Sequence, residues 1–122
     1  MGDVGCQLLS LPFRALDLGA PRTVTAEEVD GATSEMYPRA SRVETFFRAP
    51  ARRRPPVTLF WYDGGRRPAV DRLPEVMRSL RSFPNSGCLL VGEDGVWLMA
   101  DETGGRQRVA LAGEKRLVDA GK

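Results

Sequence analysis

Six consecutive residues, Val57-Thr58-Leu59-Phe60-Trp61-Tyr62, lie between Pro55-Pro56 and Asp63-Gly64-Gly65 and constrain this fold more than any other segment. β-Branched and aromatic residues suit a pleated surface, and a period of two sends their side chains to alternate faces. Val57, Leu59 and Trp61 then share one face, and Thr58, Phe60 and Tyr62 the other. Residues 42–48 repeat the pattern, with Val43, Thr45 and Phe47 on one side and Glu44 and Phe46 on the other. Phe46, Phe60 and Tyr62 are too many aromatics for a fully wet face, so that face is expected to meet another chain or a further part of this one.

The same period extends along most of the chain. Residues 23–26 read as a short strand, followed by a polar connection over 31–38. Residues 88–91 and 96–99 flank Gly92-Glu93-Asp94-Gly95, and Asp-Gly between two apolar runs predicts a hairpin with positive φ at its central residues. Gly104-Gly105 turns the chain into a strand over 107–111. A short helix is expected after Pro74, carrying Val76, Met77 and Leu80, and the tail from residue 113 is weakly specified.

Only the first segment has helical period. Residues 3–18 predict a helix with Asp3 as N-cap and an apolar face of Leu8, Leu9, Phe13 and Leu16. Gly19 is the expected left-handed stop, and Pro12 is expected to kink the element. One helix followed by about six short strands reads as α+β, an N-terminal helix packed on a mostly antiparallel, open-faced sheet. At 122 residues the expectation is a single domain over 1–122, with a real core.

Composition narrows the chemistry. There is no histidine, which removes the commonest general acid/base and metal ligand near neutral pH, and with it Ser-His-Asp and Cys-His arrangements. No G-x-G occurs, so no dinucleotide fingerprint is present. Cys6 and Cys88 form no CxxC pair and read as reduced thiols, with neither a zinc site nor a disulfide framework. A net charge of +2 does not argue for nucleic acid, and no apolar run approaches the roughly 20 residues of a membrane span. The N-terminus lacks the features of a secretory signal, so a cytoplasmic setting is expected. Glu27/Glu28 and Glu93/Asp94 read as solvated charges. Arg52-Arg53-Arg54, between prolines, reads as a solvated crossing rather than a phosphate site. Trp61 and Tyr62 are assigned to sheet packing rather than sugar stacking.

Two segments carry a family resemblance. Asp3-Val4-Gly5-Cys6-Gln7-Leu8-Leu9-Ser10, within residues 2–19, resembles the helix motif D-x-G-x-H-x-x-D of the glucose–fructose oxidoreductase/inositol dehydrogenase (Gfo/Idh/MocA) family. Residues 56–65 resemble a strand of one branch of that family, which continues into a glycine hairpin like residues 87–95. The family joins an N-terminal Rossmann domain, which binds NAD or NADP, to a C-terminal α/β domain with a large open sheet. The resemblance covers residues 2–95 and only the middle of the second domain, so the chain is expected to begin partway into it and to lack the Rossmann domain.

What the resemblance implies is oxidation or reduction of a sugar, cyclitol or similar polyol, with no cofactor held by this chain and NAD or NADP bound by the full-length enzyme. It also implies a homo-oligomer through the open sheet face and a possible Rossmann partner. Asp3 matches the motif aspartate that touches substrate, Gln7 stands at the family histidine, and Ser10 at the second aspartate. These three are the candidate substrate-binding residues, with Asp3 and Gln7 at catalytic positions. Glutamine can hydrogen-bond a hydroxyl but has no accessible pKa, so Gln7 cannot shuttle the proton and the chain is expected to be inactive alone. The alternative expectation is a non-catalytic oligomerisation or binding module derived from that domain.

Overall fold

The computed structural model describes residues 2–49, 54–78, 80 and 83–121. It divides into two compact units; α1 (Gly5–Leu16) contributes to both, residues 2–12 counting with the second unit and Phe13 onward with the first. The class is α+β, with one main helix and two antiparallel sheets of three and four strands. The single sheet of about six strands is thereby corrected. Strand content follows from local sequence, whereas membership of a sheet depends on pairing between distant segments.

The helix is shorter than residues 3–18. Its first hydrogen bond runs from the Leu8 N–H to the Val4 carbonyl, so Val4 occupies the cap position expected for Asp3. At the other end Asp17, with φ 53°, takes the left-handed position expected of Gly19, and the Leu18 N–H bonds back to the Phe13 carbonyl at 3.0 Å. That six-to-one bond is a Schellman closure, and aspartate is among the few side chains that tolerate it. The helix is continuous through Pro12, whose ring is fully buried.

In the first unit β1 (Thr23–Asp30), β2 (Ala40–Phe47) and β3 (Val57–Tyr62) form a meander in that order. Val43 pairs with Trp61, Thr45 with Leu59 and Phe47 with Val57, so the expected apolar faces coincide across the two strands. Ser41, Thr45, Phe47 and Trp61 are buried on this side, and the Phe13 ring meets Phe47 edge-on at 5.3 Å between centroids. β1 runs four residues beyond the expected 23–26, through a bulge between Ala26 and Glu28, and all eight of its residues are exposed.

In the second unit β4 (Cys88–Gly92), β5 (Gly95–Met99), β6 (Gln107–Leu111) and β7 (Val118–Asp119) form a second meander. A 3-10 turn, Val70–Arg72, precedes α2 (Glu75–Arg78). Arg78 fastens the two, donating from Nε to the Leu73 carbonyl at 2.9 Å and from Nη2 to the Asp71 carbonyl at 3.1 Å. Leu73, Val76 and Met77 then pack with Val96, Leu98 and Ala110 to form the apolar core, and Leu80, beyond the helix rather than in it, packs against its margin. Burying each valine, leucine or methionine among them is worth about 1.5–3 kcal/mol.

The β4–β5 turn also differs from expectation. Gly92 pairs with Gly95, so the central residues are Glu93 and Asp94, neither with positive φ. Gly95 instead opens β5 at φ 147°, where a Cβ would stand 2.2 Å from the Ala110 carbonyl oxygen. The glycine serves close strand approach rather than turn geometry.

Candidate functional site

The residues that the motif singles out lie at the start of the chain. Asp3 occupies the turn leading into α1, outside the helix, and Gln7 and Ser10 lie three residues apart along one side of the helix. All three are exposed. The Asp3 backbone carbonyl accepts a weak bond from the Cys6 thiol at 3.7 Å. The side chains of Asp3, Gln7 and Ser10 make no hydrogen bond among the described residues.

A second constellation, which local patterning did not reveal, gathers at the end of β3. Asp63 Oδ1 accepts from the Ser41 backbone N–H at 2.5 Å and from the Ser41 hydroxyl at 2.8 Å, and Oδ2 accepts from the Trp61 indole N–H at 2.8 Å. The Asp63 N–H returns a bond to the Ser41 carbonyl at 3.1 Å. Burial pushes the carboxyl upward, but the bonds from Trp61 and Ser41 outweigh it and hold its pKa below the ordinary 3.8. Gly64, at φ 64°, follows because any Cβ there would stand 2.2 Å from the Arg39 carbonyl oxygen. Both carboxylate oxygens are committed to structural donors, so Asp63 acts as a clamp rather than a base. Its sequence signal is an aspartate at a strand end before Gly-Gly, a common side-chain turn. Trp61 is buried and paired with Val43, which makes it a sheet-packing residue.

The opposite face of the first sheet carries ion pairs among its aromatics. Arg42 lies 5.9 Å from the ring centres of both Phe60 and Tyr62. Its Nε approaches Glu27 at 2.6 Å, without hydrogen-bond alignment, and its Nη1 lies 3.6 Å from Glu28. Arg66 bonds Glu28 through Nη1 and Asp30 through Nη2, the latter at 2.7 Å. Glu27 and Glu28 are therefore paired strand residues rather than solvated turn charges. The bulge at Glu27, between Ala26 and Glu28, lets both reach β2, a non-local condition invisible in the sequence.

Other candidates stand as follows. Arg52 and Arg53 of the arginine run lie outside the described residues. Cys6 and Cys88 are free thiols, and burial pushes Cys88 up to about 11. Asp101 accepts from Thr103 through both hydroxyl and N–H and from the Gly105 N–H, bonds that hold its carboxyl below the ordinary value and close the 101–105 turn. No group of three potential ligands for a metal occurs among the described residues, and no helix among them is long and apolar enough to cross a membrane. Comparison with protein-family models, with curated proteins and with solved structures finds no match.

Proposed function

We propose that this chain is a substrate-side portion of a Gfo/Idh/MocA-type NAD(P)-dependent oxidoreductase acting on a sugar, cyclitol or related polyol in the cytoplasm. The observation that carries the reading is the joint accessibility of Asp3, in the turn before α1, and of Gln7 and Ser10 on the helix, at the spacing of the resembled motif. In this reading Asp3 accepts a hydroxyl proton in a hydrogen bond, Gln7 donates and accepts at a neighbouring hydroxyl, and Ser10 extends the contact.

The 122 residues offer neither G-x-G nor an imidazole, so the nicotinamide site belongs to a separate Rossmann domain and the chain is inactive alone. Two titrations of the 122-residue chain test this. An amide NMR titration with myo-inositol should give saturable shifts at residues 3, 7 and 10, abolished by Asp3→Ala with Gln7→Ala. A fluorescence titration should show no NADH or NADPH binding. Absence of polyol shifts, or micromolar nucleotide affinity, overturns the proposal.

The exposed Phe60, beside half-buried Phe46 and Tyr62, favours a second reading. Here the domain serves as a non-catalytic assembly module that self-associates through the open face of the first sheet. Sedimentation should then show a dimer or larger species at high micromolar concentration, and a strict monomer overturns that reading.

A further inference from the structure

β1 is an edge strand of the three-stranded sheet and, at eight residues, the longer of its two edges. Its backbone bonds inward to β2, and no backbone bond leaves its outer row among the described residues. An unpaired row of alternating N–H and C=O groups accepts one kind of partner, an extended backbone.

Two unlike rows of side chains flank that edge. Val24, Ala26 and Val29 pair with Thr45, Val43 and Ser41, so they extend the apolar face that holds Phe47 and Trp61. Both valines are exposed, with no strand beyond β1 to flank them. The opposite row is acidic, because the bulge brings Glu27 and Glu28 to one face, where Asp30 follows. Their partners, Arg42 on β2 and Arg66 after β3, lie on the inward side. These five residues make no further ion pair, and Arg39, at the same end of the hairpin, folds over Gly31 and pairs with none of them. The β2–β3 connection leaves from the other end of the sheet, beyond Phe47 and Val57. Three carboxylates thus share two guanidiniums and are the outermost charges along this edge. β1 carries no cation of its own, so a second copy of it would bring more carboxylates and nothing to meet them.

We propose that the outer edge of β1 binds an extended peptide of alternating basic and apolar residues, added as a fourth strand of this sheet. Backbone bonds hold the peptide in register. Its basic side chains meet Glu27, Glu28 and Asp30 on one face, and its apolar side chains flank Val24 and Val29 on the other. The edge includes neither Asp3, Gln7 and Ser10 nor Phe46 and Phe60, so the proposal stands apart from both readings above.

The test is an amide NMR titration of the 122-residue chain, at low salt, with a capped hexapeptide of alternating lysine and valine. Saturable shifts are expected at residues 23–30, with slowed exchange of amides in that segment. A strand turns alternate N–H groups toward its neighbour, so two versions of the peptide, N-methylated at the lysines or at the valines, should differ. One should bind about tenfold or more weaker, and the other should keep its affinity. A glutamate–valine peptide should also bind worse, and Glu27→Gln with Asp30→Asn, both at exposed positions, should cost about threefold. Shifts centred on other strands, or equal affinity of the two N-methylated versions, would overturn the edge. Equal affinity of the glutamate–valine peptide would overturn the basic character of the occupant. A dimer of the chain alone, with protected β1 amides, would replace the peptide by a second copy.

Discussion

In the three-stranded sheet, polar groups converge on the Asp63 carboxylate, and Ser41 and Thr45 are buried beside Phe47 and Trp61. In the four-stranded sheet the comparable depth is filled by Met77, Leu98, Met99 and Ala110. Both are antiparallel meanders, of three and four strands, yet one sheet is closed by directional bonds and the other by apolar volume. Directional bonds depend on protonation and salt, whereas apolar burial depends on neither to first order. The contrast is therefore testable by conditions as well as by substitution.

The largest effect should come from the apolar side. Met77 is 1% exposed and sits among Leu73, Val76 and Leu98. Met77→Ala removes most of that side chain and leaves a cavity, at a cost of about 2–5 kcal/mol. Urea unfolding should record the loss, and hydrogen exchange should place it in β5 and β6. It should be the same at low and high salt and from pH 7 down to 4. A loss that varies with salt would break the contrast, because it would mean that charge supports this core.

Asp63→Asn should cost less, about 1–3 kcal/mol, by turning an oxygen acceptor into an amide donor that faces Ser41 or Trp61. The pH dependence follows from the sign of the shift. The folded carboxyl titrates below 3.8, so its contribution is complete above that value and disappears as the pH falls through the folded pKa. The gap between parent and variant should therefore be widest at neutral pH and narrow on acidification below 3.8. Asp101, also held low but in an exposed turn, gives the parent a separate acid sensitivity that Asp63→Asn leaves in place. A gap that stays constant down to pH 2 would remove the carboxylate from the account.

What was legible in the sequence follows the same division. β3 lies at the residues its alternation predicts, and β4, β5 and β6 lie within a residue of theirs, because period, β-propensity and flanking glycines are local properties. The split into two sheets is not local, and neither is the extension of β1 through Glu27-Glu28-Val29-Asp30, a segment of poor strand propensity. Those residues extend because Arg42 and Arg66 meet their carboxylates from β2 and from beyond β3. At the candidate site, spacing puts Gln7 and Ser10 on one side of α1, whereas Asp3 lies in the turn before it. The Asp63 clamp needed Ser41, 22 residues away, to become visible.

The smallest effect should come from Arg66, and it tests how β1 is held. All of β1 is exposed, so apart from its ladder with β2 its attachment rests on the Arg42 and Arg66 pairs. Arg66 reaches past β2 to Glu28 and Asp30 from the turn that follows β3. Both carboxylates are substantially solvated, at 45% and 61% side-chain exposure, so the pairs are screened and together should be worth at most about 1 kcal/mol. Arg66→Gln keeps much of the aliphatic stem and removes the charge. Exchange of the β1 amides should accelerate in 20 mM salt, while β2 and β3 amides change little. At about 1 M salt, where the screening length falls to roughly 3 Å, most of the difference should vanish. If the acceleration persists undiminished, the arginine holds β1 through its stem and not its charge, and the three-stranded sheet resembles its neighbour more closely than its ion pairs imply.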